Sequence, residues 1–71
     1  MPTQLVFVKS SFIRSIGYNA GRRTATVCFR SGALYQYKNV SKVTFTRWLK
    51  SPSKGKYFRR NIRGVYAYAQ I

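Results

Sequence analysis

The sequence predicts an α+β fold, a small antiparallel three-stranded β-meander packed against two C-terminal helices. Three observations carry that expectation. Thr24, Thr26 and Cys28 alternate with Ala25, Val27 and Phe29, which is the period of a half-buried strand. Turn signals bracket that segment on both sides. Beyond residue 40 the spacing of apolar residues becomes helical, behind two serines suited to capping. With 71 residues, 45% apolar and 17% aromatic, the chain is one small domain able to fold, not a disordered basic tail.

Residues 1–9 contain the short apolar run Leu5–Val8, which reads as either a lead-in or an edge strand. The meander spans residues 12–38. Its first strand, Phe12–Tyr18, stops at Asn19-Ala20-Gly21, a turn signal. Thr24–Phe29 is the second strand. Ser31-Gly32 supplies a tight turn, because glycine tolerates positive φ, and Ala33–Lys38 returns as the third. Residues 41–63 hold the helices. Ser41 caps the first, Lys42–Lys50, in which Phe45, Trp48 and Leu49 fall at i, i+3 and i+4 and form an apolar stripe. Pro52 ends it. Ser53 caps the second, which runs from Lys54 to Ile62 or Arg63, with Gly64 as its C-terminal stop. Gly55 in the first turn lowers helix propensity, so packing or backbone geometry must favour it. Phe58 and Ile62 face one way, while Lys56, Arg59, Arg60 and Arg63 form a basic stripe on another side. The tail, residues 65–71, alternates small or aliphatic residues with Tyr66, Tyr68 and Gln70, as a short extended segment does. Phe45, Trp48 and Phe58 are expected in the core; Tyr18, Tyr57, Tyr66 and Tyr68 are open to either placement. A Tyr-x-Tyr occurs twice, at Tyr35 and Tyr37 and at Tyr66 and Tyr68.

Charge narrows the function. Lys and Arg number fourteen, while Asp, Glu and His are absent, giving a formal net charge of +14. No carboxylate pair can share acid and base roles and no imidazole can move a proton, so the chain is not expected to be an enzyme. No metal and no cofactor is expected, since Cys28 is the only good soft ligand. A lone cysteine forms no internal disulfide, and Cys28 reads as a small buried apolar residue. Leu5–Val8 is too short for a signal-peptide core or a membrane span, so a cytoplasmic protein without a membrane partner is expected. Apart from the terminal carboxylate at Ile71, no basic side chain has an anionic partner within the chain. That imbalance strains the compact state by self-repulsion. An external polyanion relieves the strain and gains affinity by displacing counterions.

Taken in order, the residues resemble the KTSC domain, named for its occurrence at the C-terminus of some lysyl-tRNA synthetases. The matching pieces are Ser10-Ser11-x-Ile13-x-Ser15-Ile16-Gly17-Tyr18 and Phe29-x-Ser31-Gly32-x-x-Tyr35-x-Tyr37. They continue through Val40, Ser53-Lys54-Gly55-Lys56-Tyr57-Phe58, Asn61-Ile62-Arg63-Gly64 and Tyr66. The resemblance covers nearly everything after the first nine residues. It implies an RNA-binding role and carries over no catalytic residue; the family also occurs as short single-domain proteins. Here the sequence departs from its relatives toward positive charge. Asn19 stands where an Asp usually follows the Gly-Tyr pair, and Arg22, Arg23, Lys42 and Arg47 occupy segments that are often acidic. Ser41 and Ala67 replace common prolines.

Two groups of residues are therefore candidates for a binding site. The basic group is the turn with Arg22 and Arg23 together with the second helix, Lys54, Lys56, Arg59, Arg60 and Arg63. Helix starts at Ser41 and Ser53 add backbone N–H donors for phosphate, with Ser53 favoured because Lys54 and Lys56 flank it and Gly55 allows close approach. The aromatic group is Tyr35 and Tyr37, which share one face of the third strand. They form either an exposed stacking platform or part of the core with Val27 and Phe29. Hairpin register at Ser31-Gly32 decides between these, and the core placement is favoured. The expected function is a small, highly basic nucleic-acid-binding protein. Its partner is RNA or single-stranded DNA, held by largely sequence-independent phosphate contacts. The alternative is a protein-interaction module that docks on an acidic protein surface of a larger complex.

Overall fold

The computed structural model describes residues 5–71, so the first four residues of the expected lead-in lie outside the described part. Among the described residues, five strands form one antiparallel sheet in chain order: β1 (Leu5–Phe7), β2 (Ile13–Asn19), β3 (Thr24–Phe29), β4 (Leu34–Tyr37) and β5 (Tyr68–Gln70). The expected meander is its centre, and the sheet is wider by one strand on each side. Leu5–Phe7 is an edge strand, with Val6 opposite Ile16. The extended tail becomes the other edge, with Tyr68 opposite Tyr37. Backbone bonds from Lys38 N–H to the Ala67 carbonyl (2.8 Å) and from Ile71 N–H to the Leu34 carbonyl (2.9 Å) continue that ladder beyond the strand. Each edge strand has three residues, too few for the sequence to show that they pair into the sheet.

The turns follow their local chemistry. Asn19 Oδ1 accepts the Arg22 N–H at 3.2 Å, closing the β2–β3 turn, and Arg23 takes a left-handed φ of 54°. At the β3–β4 turn Gly32 has φ 96°, and the Phe29 N–H donates to the Ala33 carbonyl at 2.9 Å. That turn sets Cys28 against Leu34, Val27 against Tyr35 and Ala25 against Tyr37. Tyr35 and Tyr37 thus share the face of Ala25 and Val27, toward the helices. Cys28 falls on the opposite face and is half-buried, not part of the buried core as its size suggested.

Both expected caps form. Ser41 Oγ accepts the Thr44 N–H at 3.1 Å ahead of α1 (Lys42–Lys50), and Ser53 Oγ accepts the Lys56 N–H at 3.3 Å ahead of α2 (Lys54–Tyr57). The second helix differs from the expected regular form. After Tyr57 it widens into a π-helical segment, Phe58–Ile62, closed by the Arg63 N–H bonding to the Phe58 carbonyl at 2.8 Å. Gly64, with φ 77°, then turns the chain out toward β5.

The core lies between the sheet and these helices. Ile13, Ile16, Ala25, Val27 and Tyr37 from the sheet meet Val40, Trp48, Phe58 and Ile62. Trp48 is fully buried, and its indole N–H reaches the Lys54 carbonyl at 3.0 Å, joining α1 to the start of α2. Phe45 is half-buried, stacked on Tyr18 at 5.1 Å, and the Tyr18 hydroxyl donates to the Val40 carbonyl at 2.6 Å. Tyr57 and Tyr66 also pack partly buried against the core, whereas Tyr68 is 60% exposed. No helix among the described residues is long and apolar enough to cross a membrane.

Candidate functional site

Beside the contact of Phe58 with Tyr37, a gap is left over part of β4 and β5. The gap is a cleft of about 450 Å³ between the π-helical segment and the last two strands. Ligand sites commonly span about 300–1,000 Å³ and are lined by aromatic side chains with a few polar groups. Here Phe12, Phe29, Tyr35, Tyr37, Phe58 and Tyr68 supply rings, and Arg59 and Arg63 supply the charge at the mouth. Tyr37 forms the deep part at 3% exposure, with its ring edge-on to Phe58 at 5.6 Å. Tyr68 lies 5.5 Å from both Tyr35 and Tyr37 and presents its outer side to solvent. Phe29 packs edge-on against Tyr35 at 5.4 Å and against Phe58 at 5.5 Å.

Local geometry explains how the cations reach this place. An i→i+5 turn is wider than an α-turn, so Arg60 and Arg63, three apart, fall on different sides. The expected basic stripe divides accordingly. Arg59 and Arg63 stay together on the cleft, while Arg60 turns to a separate depression beside Ser51, Pro52, Tyr57 and Asn61. The Arg59 guanidinium lies 4.7 Å from the centre of the Phe12 ring, a cation–π contact that holds it at the cleft wall. Arg63 is close enough to act on the Tyr37 hydroxyl. Burial raises the pKa of that phenol above its ordinary value near 10.0, the neighbouring Tyr68 and Tyr35 add to the rise, and Arg63 opposes it.

The remaining expected cations lie elsewhere. Lys54 turns back and donates from Nζ to the Ser51 carbonyl at 2.8 Å, so it caps the end of α1 and is half-buried. Arg22 and Arg23 are exposed in the β2–β3 turn and do not line the cleft. Every other Lys and Arg of the chain is exposed too, so the cleft opens into a positive surface. Along the outer side of α1, Lys42, Val43, Thr46, Arg47 and Lys50 border a shallow depression of about 580 Å³ that holds no aromatic ring.

Packing, one of the two reasons its sequence position suggested, accounts for Gly55. A Cβ there would lie 2.8 Å from Phe12 Cε1 and 3.2 Å from Ser10 Oγ. The close approach it allows within the fold is to the Phe12 ring and Ser10. The Lys56 N–H is likewise taken by the Ser53 side chain. The Thr44 N–H is taken by Ser41 in the same way, so the donors expected at both helix starts are in part already used.

The cleft thus unites the expected tyrosines with two of the expected arginines. Phe12, Phe29, Phe58 and Tyr68 complete it and were not among the expected site residues. The signal for Tyr68 lies in the repeated Tyr-x-Tyr, since the second copy places a ring directly opposite Tyr37.

The KTSC domain family model matches residues 9–66. The lysine–tRNA ligase of Trichormus variabilis is 35% identical over 63 residues, which cover 89% of this chain and 11% of the ligase. The chain therefore spans about a tenth of the ligases it matches. An uncharacterized protein of Stutzerimonas stutzeri is 36% identical over 55 residues, 78% of each chain. The crystal structure of a KTSC domain protein from Yersinia pestis superposes with a TM-score of 0.95 at 33% identity, covering 99% of both chains. By sequence and by fold alike, this chain belongs to the KTSC domain family.

Proposed function

We propose that the protein binds RNA or single-stranded DNA, with an unstacked base in the aromatic cleft and the strand's phosphates on the surrounding cations. The observation that carries this reading is the ring-lined cleft flanked by Arg59 and Arg63, on a surface without a single carboxylate side chain. Rings beside a positive track are how single strands are held without sequence preference, at about 1–3 kcal/mol per stacked base. A base inside a duplex cannot enter a cleft of this kind without leaving its stack, so single strands are favoured. The similarity to a segment of lysine–tRNA ligases supports an RNA partner. The short basic domain, with no long apolar helix among its described residues, fits work in the cytoplasm.

Salt dependence tests the proposal. Affinity for a short single-stranded oligonucleotide should fall linearly on a log–log scale, with a slope of about 0.7 for each phosphate engaged. Replacing both cleft arginines (Arg59→Gln, Arg63→Gln) should lower that slope by about 1.4 if each meets one phosphate. Both side chains are exposed, so the fold should be retained. Binding that ignores salt, or no binding at low salt, would overturn the reading. A pull-down that keeps its partner after nuclease treatment would favour an acidic protein surface instead.

A further inference from the structure

We infer that a second hollow, separated from the cleft by Phe12 and Arg59, is a phosphate subsite. Together the two would accept one nucleotide, base in the cleft and its own phosphate in the hollow. This rests on the base-binding reading of the cleft and adds the identity of the smallest ligand. The hollow has a volume of about 210 Å³ and is bordered by Ser10, Ser11, Ser53, Lys56 and Arg59, with Gly55 at its base. Its walls are hydroxyls and cations where the cleft has rings.

Hydrogen-bond accounting shows what these groups offer. Ser10 Oγ accepts the N–H groups of Phe12 at 3.4 Å and Ile13 at 3.3 Å. Ser53 Oγ accepts the Lys56 N–H at 3.3 Å. A hydroxyl has one proton and two lone pairs, so both serines are held as acceptors and keep a proton to donate. An anion with several acceptor oxygens matches them. The Lys56 ammonium and Arg59 guanidinium supply the charge, and no carboxylate side chain exists to neutralise either. Arg59 borders both hollows while stacked on Phe12, so one guanidinium can touch a phosphate beside a bound base.

The subsite is braced. The Ser10 carbonyl accepts from Arg30 Nε at 2.8 Å, tying the loop before β2 to the β3–β4 turn. Gly55 brings the helix against Ser10 and Phe12, because any side chain there would push them away. The donors are side chains throughout and do not depend on the short helix's free N–H groups.

Amide-shift titrations with adenosine, adenosine monophosphate and inorganic phosphate test this. The nucleotide should shift Ser10, Gly55 and Lys56 together with Tyr35 and Tyr68, and bind about tenfold or more tighter than the nucleoside. Adenosine should shift the cleft alone, and phosphate the hollow alone. The exposed variant Lys56→Gln should remove most of the nucleotide's advantage and leave adenosine affinity unchanged. Equal affinity for nucleoside and nucleotide, or a phosphate effect spread over all surface cations, would overturn the subsite. If the hollow answers to phosphate while adenosine leaves the cleft unmoved, the base-binding reading itself fails. Salt-dependent oligonucleotide binding that survives loss of the subsite would leave the broader function standing.

Discussion

Removing the Tyr68 ring separates stacking from charge. Tyr68 is 60% exposed and touches Tyr35 and Tyr37 across about 5.5 Å, while its backbone pairs with Tyr37 in the β4–β5 ladder. Tyr68→Ala keeps the ladder and loses the ring contacts. An aromatic pair or cross-strand neighbour contributes about 0.2–1.5 kcal/mol, so the domain should lose about 1 kcal/mol. For a chain of this size that lowers Tm by about 4–8 °C, leaving it folded at room temperature. If the ring stacks on a base, affinity should fall by a further about 1–3 kcal/mol, or about 5- to 150-fold. Fluorescence anisotropy with a labelled single-stranded oligonucleotide at several salt concentrations reads both quantities. The Kd should rise while the salt slope stays constant, because no phosphate contact is lost. Tyr68→Phe should bind like the parent. A folded Tyr68→Ala with an unchanged Kd would refute base stacking in the cleft.

Two further outcomes follow from the geometry. Gly55→Ala gains about 1 kcal/mol of helix propensity but places a methyl 2.8 Å from the Phe12 ring, where overpacking costs about 1–3 kcal/mol. Urea denaturation should show a net loss of about 1 kcal/mol, and a more stable variant would mean that Phe12 does not hold its place. The raised pKa of Tyr37 makes it one contributor to the loss of stability at alkaline pH. Below the ordinary value near 10.0 the phenol is protonated in both folded and unfolded chains and gives no pH dependence. Above it the unfolded chain releases the proton first, so stability falls as pH rises until the folded phenol also ionises. Melting temperatures measured from pH 9 upward should decline less steeply for Tyr37→Phe than for the parent, and identical slopes would contradict the burial of that hydroxyl.

The elements legible in the sequence are those built from local signals. The alternation of Thr24–Phe29, the glycine turn at Gly32 and the serine caps each occupy a few adjacent residues, and all appear as expected. The edge strands are legible only as extended segments, because Leu5–Phe7 and Tyr68–Gln70 acquire their pairing from partners distant in the chain. The π-helical turn at Phe58–Ile62 has no composition signal, yet it decides which arginines face the cleft. Register explains the tyrosines. It puts both on the helix side, the favoured core placement, and not on an exposed platform: Tyr37 is buried, and Tyr35 is half-buried at the wall of an open cleft. Gly55 illustrates the opposite difficulty. Its sequence context shows that something approaches closely, and only the fold identifies that neighbour as Phe12.

The central claim is that the ring-lined cleft, not charge alone, is where a nucleic acid strand is held. Amide-shift mapping with a short single-stranded RNA addresses it directly. The largest shifts are expected at Phe12, Tyr35, Tyr68, Arg59 and Arg63, on the two sides of one opening. Shifts confined to Arg22 and Arg23 or to the outer side of α1, with the cleft unmoved, would contradict it.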